Sequence, residues 1–270
     1  MNILCEVAGM SRQNFYSQRK VRQKLIVDEQ LILDLVRGIR HWHPKMGSIK
    51  ILHLIKGELN RADVTIGRDR FFSLLRRYDL LLPRKTGRKY TTDSRHGFKV
   101  YSNLAKTMTV NAPHQLWVSD ITYIRTLEGF MYLCLIMDVY SRAIVGWDCS
   151  DSLEMEGSLR ALKMALKQLP GEAKLVHHSD CGIQYCCGGY VKLLNDRHIA
   201  ISMTEENHCY ENGKAERLNK TLKYEYGLGR TFAQKSQVNL VAESAIMLYN
   251  RYRPHLELNL DFPMAVHKAA

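Results

Sequence analysis

The sequence predicts an α/β protein: a mixed five-stranded sheet flanked by helices, preceded by a small all-α domain. Three observations carry this expectation. Apolar residues recur at helical spacing between Gln23 and Leu80. A basic, glycine-containing stretch, Pro83 to Lys99, then interrupts the pattern. Beyond it come strand-length apolar runs, three in succession and then alternating with helical ones, the rhythm of a sheet with helices packed on it.

In order, residues 1–22 form a lead-in and 23–82 a helical domain. A basic linker over 83–103, an α/β core over 104–229 and a helical extension over 230–270 follow. In the helical domain, Leu25, Ile26, Leu31, Leu33, Leu35, Val36 and Ile39 mark a first helix to His41, broken by Pro44 and Gly47. Ser48 is placed to cap a second helix reaching Leu59. After a turn over 60–67, a third helix runs from Arg68 to about Leu80. There Phe71, Phe72, Leu74 and Leu75 interleave with Arg68, Arg70, Arg76 and Arg77. Helix, turn and arginine-bearing helix outline a helix-turn-helix, whose last helix enters a major groove. A small bundle with solvated arginines is the bland alternative. The linker favours DNA, because Arg84, Lys85, Arg88 and Lys89 extend the basic character and can track phosphates.

In the core, a first strand over 115–124 holds Asp120, and Glu128-Gly129 makes a turn. Phe130 to Asp138 and Ala143 to Cys149 read as strands two and three. Leu153 to Leu169 is an amphipathic helix stopped by Pro170-Gly171. A fourth strand ends at Asp180, a helix covers Tyr190 to Asp196, a fifth strand lies near Ile201, and a polar helix carries Glu216. Three strands, helix, strand, helix, strand, helix is the order expected of a ribonuclease H-like fold. A last helix, about Ser236 to Tyr252, ends before Pro254. Arg253 and His255 there suit either DNA contact or helix termination.

The formal charge of +12 and a pI near 9.4 favour a polyanionic partner, nucleic acid before an anionic membrane surface. The most apolar stretch, Phe130 to Val139, is strand-length and contains Asp138, so no membrane span is expected. Neither is a signal peptide. Seven scattered cysteines without CxxC spacing suit reduced thiols in a cytosol. His177, His178, Cys181, Cys186, Cys187, His208 and Cys209 cluster in sequence, but their spacing fits no usual zinc finger or ribbon.

Asp120 within an apolar strand, Asp180 at a strand end and Glu216 on a polar helix need a physical reason. A buried charge is costly unless paired or bound to metal. Three carboxylates brought together raise each other's pKa values. A divalent cation relieves both penalties, and oxygen-only ligands suit Mg²⁺, or Mn²⁺ in its place, over Zn²⁺. Two such ions about 3.5–4 Å apart clamp the attacking and leaving oxygens of a phosphodiester displacement. Asn219, Lys220 and Lys223 follow Glu216 on the same helix face and suit a polyanionic backbone, though an ordinary Glu–Lys surface pair is the plainer account. Asp138, with Ser141-Arg142, reads as turn and ion-pair structure. Gln184 and Tyr185 suit either a phosphate or base contact or the capping of the helix that follows.

The order Asp120, Asp180, Glu216, with thirty-five residues between the last two, resembles the DDE recombinases. More narrowly, the chain resembles the second-reading-frame protein of the insertion-sequence three (IS three) family. The matching words are Trp117-Val118-Ser119-Asp120-Ile121-Thr122-Tyr123, Asp138-Val139-Tyr140-Ser141-Arg142 and Val145-Gly146-Trp147. His178-Ser179-Asp180 with Gly182 and Gln184-Tyr185, and Asn212 with Ala215-Glu216-Arg217 and Leu222-Lys223, continue them. Tyr249-Asn250, Arg253-Pro254-His255 and Pro263 match the family's closing words, and Cys5 to Tyr16 resembles its opening segment. Cys181, Ile183, Glu211 and Lys214 depart from the family's usual residues without removing a proposed metal ligand.

The resemblance implies a transposase with an integrase catalytic core, cutting and joining DNA at insertion-sequence ends with two Mg²⁺ ions on Asp120, Asp180 and Glu216. It implies backbone contacts from Arg217, Lys220 and Lys223, and a homo-oligomer on transposon-end and target DNA. It also implies a first-frame (OrfA) partner or fusion, and a cytoplasmic, nucleoid-associated location. A structure-selective nuclease on the same fold and a decayed DNA-binding repressor are the other readings.

Overall fold

The computed structural model describes residues 7, 9–83, 99–171, 173–205 and 212–269. The chain divides into two compact units, residues 1–85 and 86–270.

Among the described residues, the first unit is built on three helices: α1 (Arg12–Trp42), α2 (Ser48–Arg61) and α3 (Arg68–Arg77). Its core joins Ile32, Leu33 and Val36 to Ile51, Ile55, Phe71, Leu74 and Leu75. α1 begins well before the apolar periodicity at Gln23, because Ser11 supplies a cap: its hydroxyl accepts from the Asn14 N–H at 3.2 Å. The first part of that helix is exposed on all sides, so it left no periodic signal. Ser48 is not a cap. Gly47 holds that position and Ser48 is the first helical residue, buried. α3 stops at Arg77, and Asp79 at φ +52° turns the chain away.

The second unit opens with a short 3-10 turn and then β1 (Leu116–Thr126), β2 (Gly129–Asp138) and β3 (Ile144–Ser150). α4 (Met155–Leu166), β4 (Val176–Ser179), the single turn α5 (Ile183–Cys186), α6 (Gly188–Asp196) and β5 (Ala200–Met203) follow. α7 (Gly213–Glu225), α8 (Lys235–Tyr252) and α9 (Pro263–Ala269) complete it. The five-stranded sheet has the order β3-β2-β1-β4-β5, antiparallel through the first three strands and parallel from β1 to β5. This is the mixed sheet flanked by helices that the element order predicts.

Helices cover both faces. Trp117, Cys134 and Ile136 pack against Ala161, Leu162, Tyr190 and Leu194 of α4 and α6. Val118, Ile124, Leu133 and Leu135 pack against Leu218, Leu222, Val238, Ala242 and Ile246 of α7 and α8. Burial on both sides explains why β2 reads as an unbroken apolar run and not an alternating one. Gly146 is required by the closeness of one layer: a Cβ there would lie 2.2 Å from the carbonyl oxygen of Ala161 on α4. The segment after residue 230 builds core. Asn250 of α8 accepts from the Ile144 N–H and donates to its carbonyl, both at 2.9 Å. α9 was not anticipated, although Pro263 at its first position is a common helix start.

Candidate active site

Alternation along β1 turns Val118, Asp120, Thr122 and Ile124 toward α7 and α8, and Ser119, Ile121 and Tyr123 to the opposite face. Asp120 is held at both oxygens. The Ile121 N–H donates to Oδ1 at 2.9 Å, and the Asn219 amide donates to Oδ2 at 2.7 Å. Seven residues earlier, at the position that caps the start of α7, the Asn212 amide donates to the Ser119 carbonyl at 2.9 Å. Two buried amides therefore stitch α7 to the strand that carries the aspartate.

Asp180 directly follows β4. Parallel pairing sets Val118 opposite His178, so Asp120 inside β1 and Asp180 just past the end of β4, each two residues further on, come level on neighbouring strands. Asp180 Oδ1 accepts from the Gly182 N–H at 3.1 Å, and a Cβ at position 182 would approach that oxygen to 3.0 Å. Glu216 lies in the first turn of α7, half-exposed, with its carboxylate accepting from Lys220 Nζ at 2.9 Å.

These groups share one field. The Asp120 carboxyl is pushed up from 3.8 to about 7, first by burial and next by the charge of Asp180. The hydrogen bonds from Asn219 and Ile121 pull it down, and Glu216 pushes it further up. Among the described residues, no three His, Cys, Asp or Glu side chains already stand close enough to hold a metal ion together. Glu216 is instead engaged by Lys220. The donor set itself is all carboxylate oxygen and fits a hard divalent cation such as Mg²⁺.

Behind the aspartate lies a buried network. Ser119 Oγ and the Tyr190 hydroxyl lie 2.7 and 2.9 Å from His177 Nε2. Burial, followed by the neighbouring His178, pushes His177 down to about 3, so the ring is neutral near pH 7. These contacts at Nε2 tie β1 to β4 and α6.

The other expected residues divide. Lys220 and Arg217 are exposed on α7 beside Glu216, and Lys223 is half-buried a turn later. In the helical unit, Arg68 pairs with Asp69 and Arg77 with Glu29, while Arg70 and Arg76 are exposed. Arg84, Lys85, Arg88 and Lys89 lie outside the described residues, as do His208 and Cys209. Asp138 is fully buried at a turn, accepting from the His114 N–H, the Ser141 N–H and the Ser141 hydroxyl, each at 2.8 Å. Gln184 donates to the Leu153 carbonyl at 2.8 Å and Tyr185 is buried, which makes both part of the scaffold. The DNA reading of Arg253 gives way: its guanidinium is buried and makes a two-pronged pair with Glu225 at 2.7 and 2.8 Å. Cys181 and Cys187 point their thiols at the backbone carbonyls of Thr204 and Gln184.

Sequence reasoning placed Asn219 on the Glu216 face but missed Asn212 and the Ser119–His177–Tyr190 network. The seven-residue spacing of the two asparagines, two helical turns on one face, was the available signal for the first.

The mixed sheet thus brings two aspartates level on neighbouring strands, with the glutamate-bearing α7 packed against β1. Residues 110–209 match the family model described as "Integrase core domain", and residues 197–263 match a second model of that description. The chain is 32% identical over 266 residues to the insertion element IS600 uncharacterized 31 kDa protein of Shigella sonnei, covering 97% of this chain and 96% of that one. It is 34% identical over 175 residues to transposase InsF for insertion sequence IS3A of Escherichia coli (strain K12), spanning 63% of this chain and 61% of InsF. Among solved structures, the HTLV-2 integrase catalytic core domain in complex with magnesium (trimeric form) aligns with a TM-score of 0.46 at 18% identity, over 58% of this chain and 97% of that one. The chain belongs to the IS three family of insertion-sequence transposases, which carry an integrase core. That kinship does not favour the nuclease and repressor readings. Among the described residues, no helix is long and apolar enough to cross a membrane.

Proposed function

We propose that this chain cuts and joins DNA strands at the ends of its insertion sequence by metal-dependent phosphoryl transfer, with Asp120, Asp180 and Glu216 as the metal-holding and catalytic residues. The observation that carries the reading is Asp120: a half-buried carboxylate, clamped at both oxygens and pushed up to about 7, first by desolvation and next by a neighbouring aspartate. Such a group is strained without a cation and relieved by one. Two Mg²⁺ ions, or Mn²⁺ in their place, would supply Lewis acidity at the attacking and leaving oxygens of the phosphodiester.

The protein's own groups do the rest. Asn219 and the Ile121 N–H orient the Asp120 carboxylate, and Asn212 keeps α7 in register with β1. Glu216 exchanges Lys220 for the site, which frees the Lys220 ammonium for a backbone phosphate. Lys223 and Arg217 extend that basic edge. The helical unit reads the element's terminal sequence through α3, led by the exposed Arg70 and Arg76, and the basic linker follows the phosphates. The partners are transposon-end and target DNA, further copies of this chain on the DNA and the first-frame protein, in a cytoplasmic, nucleoid-associated setting.

The test incubates the chain with labelled DNA ends of its own element in Mg²⁺, with Asp120→Asn as control and the first-frame protein added in a parallel arm. Cleaved and joined products that vanish in Asp120→Asn, with DNA binding retained, are expected. Products that persist in Asp120→Asn refute the assignment.

A further inference from the structure

The β1–β2 hairpin outruns the rest of the sheet. β4 pairs with β1 only from Leu116 to Val118, whereas β1 continues to Thr126. One face of this overhang is sealed, with Thr122, Ile124, Thr126 and Met131 buried. The other face carries Tyr123 and Arg125 on β1, opposite Tyr132 and Phe130 on β2. Tyr123 is 37% exposed and Phe130 46%. The Tyr123 ring lies edge-on to both neighbours, its centroid 5.2 Å from that of Tyr132 and 6.3 Å from that of Phe130. Arg125 is exposed beside them.

This surface is rigid. The Phe232 N–H donates to the Arg125 carbonyl and the Leu127 N–H to the Phe232 carbonyl, both at 2.9 Å, so a crossing segment pins the hairpin tip. The Thr126 hydroxyl donates to the Gly129 carbonyl at 2.9 Å, and Gly129 adopts the turn's φ of +111°. The surface is also near the chemistry: Tyr123 lies three residues along β1 from Asp120, about 10 Å, on the other face of a strand that β4 leaves unpaired beyond Val118. The charges of Asp180 and Asp120 both act on its hydroxyl.

We propose that this face is a stacking platform for unpaired nucleobases at a DNA strand end whose phosphate lies at Asp120, Asp180 and Glu216, with Arg125 against the strand's backbone. The inference rests on the proposed function and names how the reacting end is held. Nucleobases are the occupant that the composition selects. Exposed aromatic rings stack on bases of any sequence, a neighbouring guanidinium answers the phosphates, and the whole chain carries a charge of +12. Preorganised rings lose little freedom when a base settles on them.

The test measures binding of the full chain, without Mg²⁺, to blunt element ends and to ends with a short 3′ overhang containing 2-aminopurine. The overhang is expected to bind about tenfold tighter, the scale of one stacked base, with the fluorophore quenched. Tyr123→Ala and Phe130→Ala should each abolish that preference and the quenching, leaving affinity for the blunt end unchanged. Phe130→Trp should keep both. Equal affinity of the wild type for the two ends, quenching that survives both alanine variants, or loss of blunt-end affinity in step would overturn the proposal. So would a dimer that Phe130→Ala dissociates, which makes a second copy the occupant. Failure of the proposed function reads separately, as absent Mg²⁺-dependent cleavage with the overhang preference intact.

Discussion

Replacing Asp120 with asparagine removes the group on which the site's electrostatics turn, and the structure fixes the sign of the effect on stability. The carboxyl titrates at 3.8 ordinarily and at about 7 in the fold, chiefly through burial. Below 3.8 both native and unfolded chains hold the proton. Between 3.8 and 7 only the native chain does, so stability falls as pH rises through this window and levels off above about 7. At 1.36 kcal/mol per pH unit the ceiling is ~4 kcal/mol. Water reaching the open side of the carboxylate brings this to ~2 kcal/mol. Asparagine keeps the bond from the Ile121 N–H, and a flip of Asn219 would offer its Oδ1, buried without a partner, to the new amide. Denaturant unfolding at pH 4 to 8.5 without divalent cations is the assay. Asp120→Asn should match the wild type near pH 4 and exceed it by ~2 kcal/mol at pH 8, and saturating Mg²⁺ should restore the wild type alone. Parallel pH profiles, or a variant less stable at pH 8, would refute the argument.

Asn219→Ala removes a charge-assisted hydrogen bond of about 1.5–3 kcal/mol. Mg²⁺ binding should weaken about tenfold near pH 7 and recover as pH rises, read by calorimetric titration at several pH values. Arg253→Leu strands Glu225 as a buried charge and should cost about 3–5 kcal/mol in thermal unfolding, most of it regained on adding Glu225→Leu. DNA affinity of that double variant should be unchanged. Gly146→Ala forces a methyl against the Ala161 carbonyl and should destabilise by about 3 kcal/mol or more, with the melting transition as the measure.

The sheet was legible because burial leaves a composition signature. The apolar run of β2 and the separate runs around Ile144 and Ile201 each correspond to a strand. Asp120 and Asp180 stood out for the same reason, as charges where apolar strands should exclude them. What stayed illegible depends on partners distant in sequence. Nothing near Arg253 announces Glu225, and nothing near Ser119 announces His177. The exposed start of α1 and the short α9 lacked an apolar stripe to reveal them. Asn212 and Asn219 fall between these cases: their spacing is visible, but the strand they grip is not.

The contribution of α8 to the core has a consequence for how the molecule is made. One face of the central strands, including Leu133 and Leu135, is closed by α7 and α8 together, α8 contributing Val238, Ala242 and Ile246. During vectorial synthesis those strands emerge long before their cover, and domains mature as units. A chain cut short between Glu216 and Val238 would own every proposed ligand yet leave part of that face uncovered. Completion of this core is thus tied to translation through α8, beyond the last proposed ligand.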